Sequence, residues 1–198
     1  MSAVVAVIDA NVLYRSTVRD LLIRLAISGL IQAKWSDRIL DETFHNLVKN
    51  RPDLDPAKLA RTRMLMNKAV RDVLVDGYEA IEATLTLPDV DDKHVLAAAI
   101  KANADIIITD NVSDFPTETL SSWGIVARTA DRFISDLIGS NRDAVETALR
   151  QIAEAHASPP TTFEGVIDRL EAEGLKRATA LLRRQPTIAP PRSGWHQA

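Results

Sequence analysis

Two short runs of wholly apolar residues, each followed closely by acids, constrain this chain more than any other feature. Val4–Ile8 reads Val-Val-Ala-Val-Ile and stops at Asp9, while Ile106–Ile108 leads through Thr109 to Asp110 and Asn111. A strand with one face in water alternates apolar and polar residues. A run without alternation is instead a strand buried on both faces, as in a parallel sheet covered by helices.

Helical patterns lie between these runs. Ser16–Ser28 places Val18, Leu21, Leu22 and Leu25 on one stripe and stops at Gly29. Ser36 or Asp37 caps a second helix with the stripe Leu40, Phe44, Leu47 and Val48. Asp55-Pro56 reads as an N-cap with proline at the first helical position. That helix is expected to run to about Val75, with Arg61, Arg63, Lys68 and Arg71 turned away from its Leu59/Met66/Val70 side. Asp91 and Asp92 open a helix through Val95, Leu96, Ala99 and Ile100. Further strands are expected at Ile81–Leu87 and Gly124–Ala127. Strands alternating with helices imply an α/β fold with a parallel central sheet.

After about Ala130 the pattern is helical only, at 131–138, 142–156, 162–173 and about 175–184, with a break at Pro159-Pro160. From Gln185 the chain has three prolines and no periodicity, which reads as a disordered tail. The expected organisation is thus a body over 1–130, a helical extension over 131–185 and a tail over 186–198.

Composition narrows the class. The chain has 198 residues, 46% apolar and 26% charged, with no cysteine. That excludes a disordered or fibrous protein, a disulfide framework and a zinc–thiolate site. No apolar stretch approaches the ~20 residues of a membrane span. Met1–Ile8 lacks the basic start and cleavage site of a signal peptide. A cytoplasmic location is the economical expectation. The net charge of −3 argues against nucleic-acid capture over the whole surface, and leaves room for a local basic face beside an acidic pocket.

The placement of the acids carries the functional reading. In an open parallel sheet, ligands bind beyond the carboxyl ends of the strands. If the two buried strands are neighbours, Asp9, Asn11, Asn111 and Asp114 converge on one crevice. Asp92 can face the same crevice, or can be an ordinary N-cap. Glu42 lies about 200° around its helix from Leu40, off the core stripe, where a solvated glutamate is the ordinary reading. Carboxylates forced together stay ionised only if a cation compensates them. An all-oxygen donor set suits Mg²⁺ or Mn²⁺ rather than zinc, and the chemistry of such an ion is hydrolysis or transfer at phosphorus. The histidines at 45, 94, 156 and 196 are scattered, and each reads as a surface or packing residue. The tryptophans at 35, 123 and 195 are too dispersed for a base-stacking platform. Dinucleotide, Walker, zinc-protease and serine-hydrolase motifs are all absent.

Four segments in order carry a family resemblance. These are Val-Ile-Asp-Ala-Asn-Val-Leu, Leu-Asp-Glu-Thr-Phe, Asp-Asp-Lys-His-Val-Leu-Ala-Ala-Ala and Ile-Thr-Asp-Asn-Val-Ser-Asp-Phe-Pro. Over about 4–130 the chain resembles a PIN domain, and more narrowly the VapC-type toxins of type II toxin–antitoxin modules. The helices after Ala130 look like an extension found on one subgroup. The resemblance implies a three-layer α/β/α sandwich and a Mg²⁺- or Mn²⁺-dependent endoribonuclease acting on tRNA or other structured RNA. It also implies a cognate antitoxin and a homodimer.

Carried over, the catalytic quartet is Asp9, Glu42, Asp92 and Asp114. Asp9, Asp92 and Asp114 are the metal ligands, and Glu42 is a ligand or the group that positions water. Asn11 and Asn111 orient the carboxylates. Asp110 competes with Asp114 for the fourth place, and Asp91 and Asp89 crowd Asp92. Asp114 and Asp92 are preferred on the family spacing. Arg15, Arg19 and Lys93 are candidate RNA contacts, or solvated charges. The competing reading is a catalytically silent PIN-fold module that binds RNA or protein. A phosphatase with Asp9 as nucleophile ranks last, because Asn11 stands where a second aspartate is usual.

Overall fold

The computed structural model describes residues 3–155 and 160–184. Its centre is a parallel four-stranded sheet of β1 (Val4–Ile8), β2 (Ile31–Lys34), β3 (Ile106–Ile108) and β4 (Val126–Arg128), in the order β2-β1-β3-β4. Register pairs Ala6 with Ala33 on one side and Ile106 on the other, and Ile107 with Ala127. Successive residues of a strand point to opposite faces. Ala6, Val7 and Ile8 are all buried, as are Ile106, Ile107 and Ile108, so both faces of the central strands are covered. This is the α/β arrangement the apolar runs imply.

The covering helices are α1 (Ala10–Leu13), α2 (Ser16–Ile27), α3 (Asp37–Asn50), α4 (Pro56–Ala69), α5 (Glu79–Glu82), α6 (Lys93–Lys101) and α7 (Thr117–Ser121). Ser36 caps α3 through its hydroxyl, and Asp55 caps α4 ahead of Pro56. Along α3 the buried residues are Ile39, Leu40, Thr43, Phe44 and Leu47. Val48 is exposed, correcting its place on the expected stripe. It stands about 80° around the helix from Leu40, beyond the edge of the buried face.

Two further expectations are corrected. The helix after Pro56 ends at Ala69, well before Val75. Asp72 adopts a left-handed conformation (φ 52°), and the chain turns so that Trp35 pairs with the segment around Leu74. Trp35 N–H donates to the Val73 carbonyl, and Val75 N–H to the Trp35 carbonyl. No strand forms at 81–87. Its start belongs to α5, and Leu85 and Leu87 are buried from an unpaired connection, where spaced leucines suffice to pin the chain to the core. Conversely, β2 went unread. Its Ile-Gln-Ala-Lys alternates buried and less buried residues, but four residues are too short for periodicity to register.

The extension consists of α8 (Ala130–Ala155), kinked at Asn141, with α9 (Phe163–Ala172) and α10 (Lys176–Arg183). Both α8 and α9 pack on α2, and Val145, Leu149, Val166 and Leu170 join the same apolar core as Leu21 and Leu25. The expected tail, together with His156, Trp195 and His196, lies outside the described residues. Among the described residues no helix is long and apolar enough to cross a membrane.

Candidate active site

Asp9 stands where β1 ends, and its backbone N–H continues the ladder to the Ile108 carbonyl. Its carboxylate is buried and held by three donors. Oδ1 accepts from Ala10 N–H at 2.6 Å, and Oδ2 accepts from Asn11 Nδ2 and from the Thr109 hydroxyl, both at 2.7 Å. Burial pushes the Asp9 carboxyl above its ordinary range, and the negative charge of Glu42 adds to that. The hydrogen bonds from Thr109 and Ala10, with the nearby His94, pull the other way.

Thr109 is a member of this site that sequence reasoning passed over. Fully buried, it donates to Asp9 and accepts from Asn11 Nδ2 (3.0 Å) and Asn111 N–H (3.1 Å). The available signal was its position, the first polar residue after β3 and directly opposite Asp9. Asn11 has both ends of its amide engaged, since its Oδ1 accepts from Asp110 N–H at 3.1 Å.

Asp92 occupies the N-cap position of α6 without acting as a cap. Its backbone is helical (φ −84°, ψ −6°) and its side chain accepts no bond from the helix. Its Oδ2 is buried with no hydrogen-bond partner. Burial first, then the charges of Asp9, Asp89, Asp114 and Glu42, push its carboxyl up to about 6. The ordinary capping reading of Asp92 is therefore not realised, and these acids share one electrostatic neighbourhood.

A crevice of about 630 Å³ opens beside Asp92, lined also by Glu42, His45, Asp91, His94 and Asn111. Glu42 is half-exposed, with Oε2 3.7 Å from Nε2 of the buried His94. His94 and His45, taken as bystanders from sequence, thus border the acidic space. Asp114, in a short 3₁₀ turn (Val112–Asp114), is close enough to act on Asp92. Asp110 instead pairs with Arg15, Oδ2 to Nη2 at 2.7 Å. Asp91 is exposed at the crevice wall.

The candidate RNA contacts fare differently from one another. Arg15 and Arg19 are not solvated charges, because both are drawn into the protein. Arg15 binds Asp110 and the Glu173 carbonyl, and Arg19 donates to the Leu13 carbonyl. Lys93 is half-buried at the start of α6, next to Asp92.

Among the described residues no three acidic or imidazole groups already stand as a ligand cage. The donor set nevertheless fits a hard ion. It consists of oxygens, it is crowded with like charge, and one buried carboxylate oxygen is unpartnered. Mg²⁺ commonly keeps several waters and takes only one or two carboxylates.

Comparison with known proteins turns on one match, in which residues 5–113 fit the PIN domain family model. The chain belongs to the PIN-domain family. Asp9, Glu42 and Asp92 lie within the matched PIN region, and Asp114 directly follows it. Residues 130–184 match a second family, the VapC50 C-terminal domain. A curated relative, "Putative ribonuclease VapC50" of Mycobacterium tuberculosis (strain ATCC 25618 / H37Rv), is 30% identical over 99 residues. That match covers 50% of this chain and 59% of the relative, so less than two thirds of the relative's length is spanned. No solved structure matches this PIN protein.

Proposed function

We propose that this chain is a Mg²⁺- or Mn²⁺-dependent endoribonuclease and the toxin of a toxin–antitoxin pair. The observation that carries the proposal is Asp92, a carboxylate raised to about 6 with an unpartnered buried oxygen, in one neighbourhood with Asp9, Asp114 and Glu42. Such crowding is costly in the free protein and is relieved by a divalent cation. The PIN and VapC50 C-terminal matches, and the printed name of the relative, support the same reading.

In this reading Asp9, Asp92 and Asp114 hold the ion, which when bound supplies an acidified water and charge stabilisation for the leaving oxygen. Glu42, half-exposed at the crevice, positions the water. Asn11 and Thr109 hold Asp9 in one orientation, and the Asn111 backbone N–H steadies the Thr109 hydroxyl. Lys93 and Arg38, beside the crevice, meet the RNA backbone. The substrate class is tRNA or other structured RNA. The partners are an antitoxin that covers the crevice and a second copy of the chain, in the cytoplasm.

Incubating the purified chain with total RNA and Mn²⁺, with and without chelator, tests this. Chelator-sensitive internal cleavage that is lost in Asp92→Asn supports it. RNA binding without cleavage under any divalent ion would favour a silent binding module.

A further inference from the structure

Glu173, at the end of α9, is joined to Asp9 by an unbroken series of polar contacts. Arg15, between α1 and α2, donates from Nη1 to the Glu173 backbone carbonyl at 2.7 Å. Its Nη2 stands 2.7 Å from Asp110 Oδ2. Asp110 donates its backbone N–H to Asn11 Oδ1, and Asn11 Nδ2 donates to Asp9 Oδ2. Arg15 and Asn11 each serve two links with different atoms, and the series crosses from the extension into the site.

Its far end is anchored. The Glu173 carboxylate accepts from the backbone N–H groups of Thr17 and Val18 and from the Thr17 hydroxyl. Arg15, though at the N-cap position of α2, makes no capping bond itself. The Arg15 side chain is only 17% exposed, so it is clamped between a fixed carbonyl and a carboxylate.

Resting on the nuclease reading above, we propose that Arg15 is a positioning residue through which the C-terminal extension sets the metal affinity of Asp9. The effect is one of orientation. The guanidinium stands 2.7 Å from Asp110 Oδ2 and fixes Asp110 at the strand end. Holding Asp110 there keeps its N–H on the Asn11 carbonyl oxygen. An amide whose oxygen is engaged must turn its NH₂ toward Asp9. Released, it can rotate and set oxygen against oxygen, which disorders the carboxylate that ligates the ion.

The test uses the full-length chain as wild type, Arg15→Gln, Asp110→Asn and the double variant. Three quantities are read: Mn²⁺ affinity by calorimetry, exchange of the Asp110 amide in metal-free protein, and the urea midpoint. The expected result for Arg15→Gln is a roughly tenfold loss of Mn²⁺ affinity, the low end of what groups behind a ligand cost. Faster Asp110 amide exchange should accompany it. Asp110→Asn should give the same two changes with an unaltered urea midpoint, because it leaves the Arg15–Glu173 contact intact. The double variant should be no worse than either single one, since both break one link.

Tighter Mn²⁺ binding in Arg15→Gln would overturn the proposal, because it would make Asp110 a ligand that Arg15 restrains. Unchanged affinity and exchange in a wild type that binds Mn²⁺ and cuts RNA would overturn this inference alone. A wild type that neither binds nor cuts would remove the nuclease reading and this one together.

Discussion

The Glu173 carboxylate caps helix α2 from 156 residues away, accepting the Thr17 backbone N–H at 3.0 Å, with the Val18 N–H beside it at 2.9 Å. The first N–H groups of a helix have no partner within it. Here the residue before the helix is an arginine, which cannot accept them. The acceptor comes instead from the end of α9, and with it comes a negative charge at the positive end of the helix.

Replacing Glu173 with alanine should therefore lower stability by about 1–3 kcal/mol, the range for a lost cap that strands buried donors. Glu173→Gln, which keeps one acceptor oxygen, should recover part of that. Urea denaturation at neutral pH measures both. An alanine variant as stable as wild type would show that the cap is made by solvent.

Asp9→Asn should abolish RNA cleavage while the fold persists. Burial already penalises the Asp9 charge, so neutralising it brings a gain. The new amide has one oxygen where Ala10, Asn11 and Thr109 all donate, so the gain is offset. The thermal midpoint should stay within ~4 °C of wild type, about what 1 kcal/mol moves in a chain of this size. Full cleavage by a folded Asp9→Asn protein would contradict the site assignment.

Asp92 makes stability depend on pH in an unusual direction. Its folded value of about 6 lies above the ordinary 3.8, so between those values the native state binds a proton that the unfolded chain has released. Metal-free protein should thus become more stable as pH falls from 7.5 to 5, and Asp9, also raised, adds to this. With Asp92 half-exposed, screening limits its share to about 1 kcal/mol. Saturating Mg²⁺ should stabilise the protein most at the high end and flatten the profile. Thermal melts across that range, with Asp92→Asn as control, check the sign. Stability that rises with pH over this window in metal-free wild type would refute it.

Deleting residues 131–198 should yield an aggregating protein. It strips α8 and α9 from α2 and uncovers the core around Leu21 and Leu25. It also removes the Glu173 cap. Size-exclusion chromatography reads the outcome directly. A monodisperse, stable fragment would show that the extension is dispensable to the fold.

Legibility from sequence tracked how much of each signal was local. The buried runs at 4–8 and 106–108 stand out because a strand covered on both faces can hold little but apolar side chains, and they became the central neighbours β1 and β3. Ser36 and Asp55 were legible as caps because each satisfies N–H groups two or three residues on. β2 was not, because an edge strand of four residues is defined by its partner. The supposed strand at 81–87 failed for the converse reason, since alternating leucines need burial and no ladder. Thr109 escaped notice because its hydroxyl matters only once β3 lies beside β1.

By itself the sequence determined that a parallel, doubly covered sheet would form, that Asp9 and Asp110 would emerge at strand ends, and that a helical segment would follow. Those outcomes depend on apolar periodicity and capping, which act over a few residues. Tertiary structure alone decided which carboxylates share a field. It kept the Asp92 side chain from capping its helix, put Asp114 within its reach and drew Asp110 to Arg15. It also decided that Arg15 would be held by Glu173, 158 positions on. Such choices rest on electrostatic and hydrogen-bond contacts that act over a few ångströms of space, between residues that only folding brings together.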